Sequence, residues 1–197
     1  MKKKSLIISS LILILAITKN SFAQDVDLNK YNIEKNHTSV MWIADHMGYS
    51  KVSGKFTDIA GHIIFDQKNI NNSKVEVEIN LNNIATGLSK FEDHLKSPDF
   101  FNVKKFSTAK FVSKKIVKKT DKSADIYGDL TLLGVTKEVI LKTKFNKSAP
   151  NPMSQKPTIG FSATAQVKRS DFGMNYALPG IADNVDLVIE AEANQDK

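Results

Sequence analysis

Residues 128–141 read GDLTLLGVTKEVIL, and this stretch limits the fold more than any other. Ile126, Leu130 and Leu132 alternate with Tyr127, Asp129 and Thr131. Further on, Val139, Leu141 and Phe145 alternate with Glu138, Ile140 and Lys142. Successive side chains of a strand point to opposite faces, so this period of two means two strands, each with one apolar face. Leu133-Gly134-Val135-Thr136 lies between them as a turn, with Gly134 free to adopt a positive φ. The spacing predicts a β-hairpin.

The same period recurs along most of the chain. Val40, Trp42 and Ala44 alternate within 38–46, and Val52, Gly54 and Phe56 share a face of the next strand. Ile59, Gly61, Ile63 and Phe65 carry the apolar phase onward, with a slip between Phe56 and Ile59 that predicts a bulge or sharp bend. Val75, Val77, Ile79 and Leu81 form the cleanest amphipathic strand. Further strands are expected over 108–119, 124–132, 159–167 and 185–191, with Thr120-Asp121-Lys122-Ser123 as a turn. That makes about eight strands joined mostly by short turns, without alternating helices, which points to an antiparallel sandwich or barrel. Two stretches depart from the pattern. Leu88, Phe91 and Leu95 stand at helical spacing in 88–96, ahead of Pro98, and 148–157 reads as a proline-rich loop. A closed barrel removes exposed sheet edges. With about eight strands, its interior is either filled by side chains or holds one small ligand. Alternation does not separate these cases, because both need an apolar inner face.

The N-terminus reads as an export signal. Lys2, Lys3 and Lys4 precede an apolar run over 6–17, too short to span a bilayer, and Ser21-Phe22-Ala23 fits a small-x-small cleavage site. Residues 1–23 are therefore expected to be a cleaved signal peptide and 24–197 one mature domain. Removing Lys2, Lys3, Lys4 and Lys19 leaves 24 basic against 21 acidic residues, a net charge of +3 rather than +7. This weakens any nucleic-acid reading. No cysteine is present, so neither a disulfide framework nor a lipid-modified cysteine is available, and stability must come from a hydrophobic core.

Chemistry-bearing constellations are sparse. The histidines His37, His46, His62 and His94 form no H-x-H or HExxH pattern, and His37 and His46 fall on opposite faces of a regular strand, so no metal site is expected. There is no nucleophile elbow, nucleophilic cysteine or phosphate-cradling loop, so no enzyme activity is expected. Glu92, Asp93 and His94 are adjacent on a predicted helix and point in different directions. Lys114, Lys115, Lys118, Lys119 and Lys122 cluster around one hairpin. They read as a solvated edge or as a docking patch for an anionic membrane surface.

Several segments, in order, resemble the YceI-like family. They are Tyr31-Asn32-Ile33, His37-Thr38-Ser39-Val40, His46-Met47-Gly48, Val52-Ser53-Gly54-Lys55-Phe56, Gly61-His62-Ile63-Ile64-Phe65-Asp66, HLKSPDFF over 94–101, the 128–137 hairpin, Arg169-Ser170-Asp171-Phe172-Gly173-Met174 and Val185-Asp186-Leu187. The family often carries an arginine just before the His-Leu pair; here Phe91 stands in its place. The resemblance implies an extended antiparallel eight-stranded lipocalin-like barrel with a short helical insertion, exported to the periplasm and non-enzymatic. It also implies an apolar tunnel for a long isoprenoid-type lipid, with no other cofactor. The residues expected to line the tunnel are Trp42, Phe56, Phe65, Val77, Ile79, Phe100, Phe111, Leu130, Phe161 and Phe172. Arg169 and His94 are expected at the head group, with a salt bridge from Arg169 to Asp171 or Asp93 as its structural alternative. The expected partners are the lipid, an anionic membrane surface and, as a homodimer, a second copy. The competing expectation is an exported structural or stress-related module with a solid core.

Overall fold

The 128–141 stretch folds as its alternation predicts. In the computed structural model, which describes residues 29–195, strand β8 (Ser123–Leu132) pairs antiparallel with β9 (Val135–Pro150). Leu133 and Gly134 have φ of 52° and 76°, the two successive left-handed residues that a type I′ hairpin turn requires. The signal peptide expected over 1–23 lies outside the described residues.

The other elements are β1 (Asn29–Ile33), β2 (Ser39–His46), β3 (Ser50–Phe56), β4 (Ile59–Phe65), β5 (Lys74–Asn80), β6 (Ile84–Ala85), α1 (Ser89–Lys96), β7 (Thr108–Thr120), β10 (Pro157–Lys168) and β11 (Ile181–Asn194). The ladder runs β1-β4-β5-β7-β8-β9-β10-β11, and β11 pairs back onto β1. This is a closed eight-stranded antiparallel barrel. Two of its walls are long bent strands. β1 and β2 both pair with β11, Ile33 facing Ala193 and Val40 facing Ile189. At the break between them, the Thr38 hydroxyl donates to Glu192 O and accepts from Glu192 N, both at 3.1 Å, so a buried side chain replaces the missing ladder bonds. The second bend falls where the apolar phase slips: β3 ends with Phe56 opposite Val40, and β4 begins with Ile59 opposite Ile79.

Three expectations shift. The first strand, β1, was legible only as a motif. The proline-rich loop shrinks to 151–156, since β9 reaches Pro150 and β10 starts at Pro157. The helix begins at Ser89, with Leu88 at its N-cap making no side-chain cap bond. Instead Glu92, in the first turn, reaches back to accept from the Thr86 and Gly87 amides at 2.7 and 3.0 Å.

The meander places its connections asymmetrically. The β2–β3 turn, the α1 segment, Leu133–Gly134 and 169–180 lie at one end, which we call the helix end. The 66–73, 121–122 and 151–156 connections lie at the other. Buried apolar residues form three separate clusters. One, around Trp42, Phe56, Leu81 and Leu95, lies under the helix; one surrounds Tyr31, Phe65 and Ile159; one surrounds Phe111, Ile116 and Val139. A packed domain usually builds one contiguous core. Here the clusters are walls around unfilled space.

Candidate functional site: a two-chambered apolar interior

The barrel interior holds two cavities. The one toward the end opposite the helix measures about 410 Å³. It is walled by Ile63, Val75, Ile116, Ile126, Val139 and Phe145, among others, and its polar lining comes mostly from the 66–73 turn and the 118–123 hairpin tip. The helix-end cavity measures about 600 Å³ and lies beneath α1. Its wall is almost wholly apolar, with His46, His94, Arg169 and Tyr176 as its ionisable members. The two cavities abut, sharing Val40, Ile79, Leu130 and Leu187. Both volumes are in the range of pockets that enclose small organic ligands.

Every residue expected at a tunnel wall borders one of these spaces. Phe65, Val77, Phe111 and Phe161 line the first, Trp42, Phe56, Phe100 and Phe172 the second, and Ile79 and Leu130 both. Their origin is local. Phe65, Phe145 and Phe161 come from three different strands and pack with ring centroids 5.5–5.6 Å apart. Phe111 lies across Gly128 on the neighbouring strand, where a Cβ would stand 2.3 Å from its Cζ. Trp42 lies across Gly54, directly opposite on β3, where a Cβ would stand 2.6 Å from its Cζ2. In both places glycine makes room for a large ring to lie against the wall. Phe91, which stands where the sequence resemblance implies an arginine, meets Trp42 edge-on with centroids 6.3 Å apart. An apolar contact therefore occupies that place. The Trp42 indole Nε1 is the one buried side-chain polar atom among the described residues with no hydrogen-bond partner.

The two expected head-group residues differ in availability. Arg169 borders the helix-end cavity but is only 4% exposed. Its Nε donates to Ala182 O at 2.9 Å, Nη1 to Met174 O at 3.0 Å and Nη2 to Ile181 O at 2.9 Å. Burial draws its pKa down from the ordinary value and the nearby Asp183 carboxylate draws it up. The expected salt-bridge partners, Asp171 and Asp93, are replaced by these carbonyls. His94 sits at the cavity's edge, its Nε2 2.9 Å from Asp99 Oδ2. Its ring packs edge-on against Phe100 and Tyr176, with centroids 5.0 and 5.2 Å away.

Residues that alternation could not find come from connections. Met47, Phe101, Met174 and Tyr176 all border the helix-end cavity, yet lie outside the strands, where no period marks a side chain as inward. Three of the five hairpin lysines are neutralised, while Lys115 and Lys122 are exposed without an ion-pair partner among the described residues. Lys114 pairs with Asp129 and Glu138, Lys118 with Asp121 and Lys119 with Asp125, all at 2.8–3.0 Å.

A further cluster was invisible to a search among histidines. Glu34, His37 and Glu192 bring three ligand atoms within 4.8 Å of one another. The arrangement already serves as a cap: Glu34 accepts from the Asn36 and His37 amides at 3.2 and 2.9 Å and lies 2.7 Å from His37 Nδ1. Burial works to raise the Glu34 pKa, and these hydrogen bonds and the His37 charge outweigh it, holding it below the ordinary value.

The YceI-like domain model matches residues 31–193. Protein YceI of Salmonella arizonae is 36% identical over 195 residues, covering 99% of this chain and all of its own length. Among solved structures, a Campylobacter jejuni YceI protein is 32% identical with a TM-score of 0.70, covering 78% of this chain and 90% of that one. A polyisoprenoid binding domain from Saccharophagus degradans, 13% identical, shares the fold with a TM-score of 0.66 over 86% of this chain and 99% of its own. With the barrel, its helical insertion and the matched span in agreement, this chain belongs to the YceI-like domain family.

Proposed function

We propose that the protein is a non-enzymatic binding and carrier protein for a long apolar lipid, a polyisoprenoid or an isoprenoid quinone, whose chain threads both cavities. The reading is carried by one observation: two apolar cavities of about 410 and 600 Å³ abut along the barrel axis through four shared aliphatic residues. The polyisoprenoid binding named for the Saccharophagus degradans domain agrees with it. Each CH₂ taken out of water is worth about 0.8 kcal/mol, so a prenyl chain of several units does not cross an aqueous space free. An apolar sheath suffices to move it, without catalytic groups. We assign residues 1–23 to a cleaved leader, from the basic and apolar runs in their sequence, and the carrier to the periplasm. Trp42, Phe56, Phe65, Val77, Ile79, Phe100, Phe111, Leu130, Phe161 and Phe172 are assigned to the tunnel wall. The head-group role falls to His94 at the opening, since Arg169 is engaged with three carbonyls of its own chain.

Native mass spectrometry of the purified protein, with lipid extraction, tests this reading. A co-purified prenyl lipid, or saturable binding of an added isoprenoid quinone, is the expected result. A ligand-free protein that takes up no apolar chain overturns it.

A further inference from the structure

The two ends of the barrel differ in character. At the end away from the helix, Gln67, Lys68, Lys118, Thr120, Asp121, Lys122 and Ser123 border the cavity with Ile70, a mostly polar rim whose Lys118 is held by Asp121 at 2.8 Å. The exposed Met153 of the 151–156 connection stands at this end but does not line the cavity. At the helix end the rim is apolar and open to water. Met47 is 54% exposed, Leu88 66% and Tyr176 44%, and all three border the cavity. Tyr49, at the tip of the β2–β3 turn, is 90% exposed. Seven large apolar side chains are exposed among the described residues; three of them border this one opening, and a fourth, Tyr49, lies beside Met47 on the same turn. They come from three separate connections: the β2–β3 turn, the N-cap of α1 and the 169–180 segment.

Cations flank this rim. Lys51 follows two residues after Tyr49 and Lys90 two residues after Leu88; both are exposed, and neither has an ion-pair partner among the described residues. The lysine hairpin at the other end pairs Lys114, Lys118 and Lys119 with carboxylates but also keeps Lys115 and Lys122 exposed without an ion-pair partner among the described residues. It is therefore the apolar rim beside the cations, rather than charge alone, that sets the helix end apart.

We propose that the helix-end rim is the surface by which this protein docks on an anionic lipid bilayer. Tyr49 and Leu88 enter the interface, and Lys51 and Lys90 meet lipid phosphates. The inference rests on the lipid-carrier reading and adds to it where the ligand enters. Three things on the molecule favour a bilayer over a protein partner. The apolar residues form a broken ring around an opening, whereas a stable protein interface needs about 800 Å² of complementary surface on each side. Aromatic and lysine side chains set beside each other suit the boundary between headgroups and acyl chains. And the ring is continuous with the cavity wall, so an apolar chain leaving the bilayer passes into the barrel without crossing water, avoiding the exposure cost of each CH₂.

The test uses two variants that leave the cavity wall intact, Tyr49→Ser and the double variant Lys51→Glu/Lys90→Glu. Docking is read by flotation with phosphatidylglycerol-containing vesicles and with pure phosphatidylcholine vesicles. Delivery is read by stopped-flow transfer of an isoprenoid quinone from the same vesicles. Trp42 is the only tryptophan of the chain and borders the helix-end cavity, so its quenching reports arrival. The expected result is about tenfold weaker flotation and slower transfer for Tyr49→Ser. A similar loss confined to the anionic vesicles is expected for the lysine variant, with quinone affinity at equilibrium unchanged in both. Transfer and flotation that ignore both variants, while quinone still binds, overturn the docking surface and leave the carrier reading standing. Flotation that depends on Tyr49 in a protein that binds no quinone overturns the carrier reading and leaves the docking surface. A monodisperse dimer that Tyr49→Ser converts to monomer, without vesicle binding, assigns the rim to a second copy and ends the proposal.

Discussion

Arg169 shows how a single side chain can stand in a binding wall and still belong to the scaffold. Its fork gathers the carbonyls of Met174, Ile181 and Ala182, so it ties the short helical turn at 169–172 to the start of β11. Replacing it with Ala leaves those carbonyls without their donor in a buried place, and stability should fall by about 3 kcal/mol or more. Urea unfolding measures this. Quinone affinity measured below the unfolding midpoint should change little; a large loss of affinity at unchanged stability would return Arg169 to the head group. Trp42 carries the opposite lesson. Its indole N–H is buried without a partner, a condition that costs about 1–3 kcal/mol. Trp42→Phe removes that cost along with part of the ring. The substitution should therefore destabilise by less than the roughly 3 kcal/mol or more usual for truncating a large buried side chain, again by urea unfolding. The motif match found Arg169, but its three partners lie 5, 12 and 13 residues along the chain, a separation that no local pattern reveals.

At the scale of elements, the bends and turns decide the barrel's shape. Gly61 in β4 has φ of 139°, and a Cβ there would stand 2.2 Å from Glu76 O on β5. Gly61→Ala is expected to be among the more damaging single changes, at about 3 kcal/mol or more, seen as a lowered Tm. The turns are held by carboxylates. Asp66, which begins the 66–73 turn beside the first cavity, accepts from the Asn69 and Lys68 amides at 2.8 and 2.9 Å and from Asn72 Nδ2 at 2.8 Å. The Asn69 amide is the chief cause of its lowered pKa. Asp58, bonded to Asn80 and Lys35, and Asp183, bonded to Ser170, are lowered likewise. A carboxylate whose pKa is lower folded than unfolded adds stability above its unfolded pKa and loses that contribution as pH falls through the folded value. Tm should therefore hold steady down to about pH 4 and then fall steadily, and Asp66→Asn should flatten part of that acid limb. Strand alternation located nearly every element. It could not place β1, too short to show a period, nor show that 169–180 closes over the cavity, since a connection has no period to read.

Over the whole molecule, the shared wall of Val40, Ile79, Leu130 and Leu187 is the narrowest commitment the interior makes. If one chain threads both cavities, Leu130→Trp divides the space in two. Affinity for a long prenyl quinone should drop by about tenfold or more, while a short-chain analogue that fits one chamber should bind nearly as before. Isothermal titration with the two ligands checks this, and equal losses for both would mean that the chambers do not act together. The sequence by itself determined the antiparallel all-β class, its hairpin turns, the bend between β3 and β4 and the helical insertion, because strand period and glycine turns are local properties of the chain. Motif order added the family and, through it, the choice of barrel over sandwich. Only the tertiary structure decided whether the inward side chains fill the barrel or wall a cavity, which aromatic rings lie flat across facing glycines, which cations are already paired and which end of the barrel is greasy. Those depend on distances between strands that close a ring of eight, and a period of two reads the same whether the face it predicts meets another side chain or empty space.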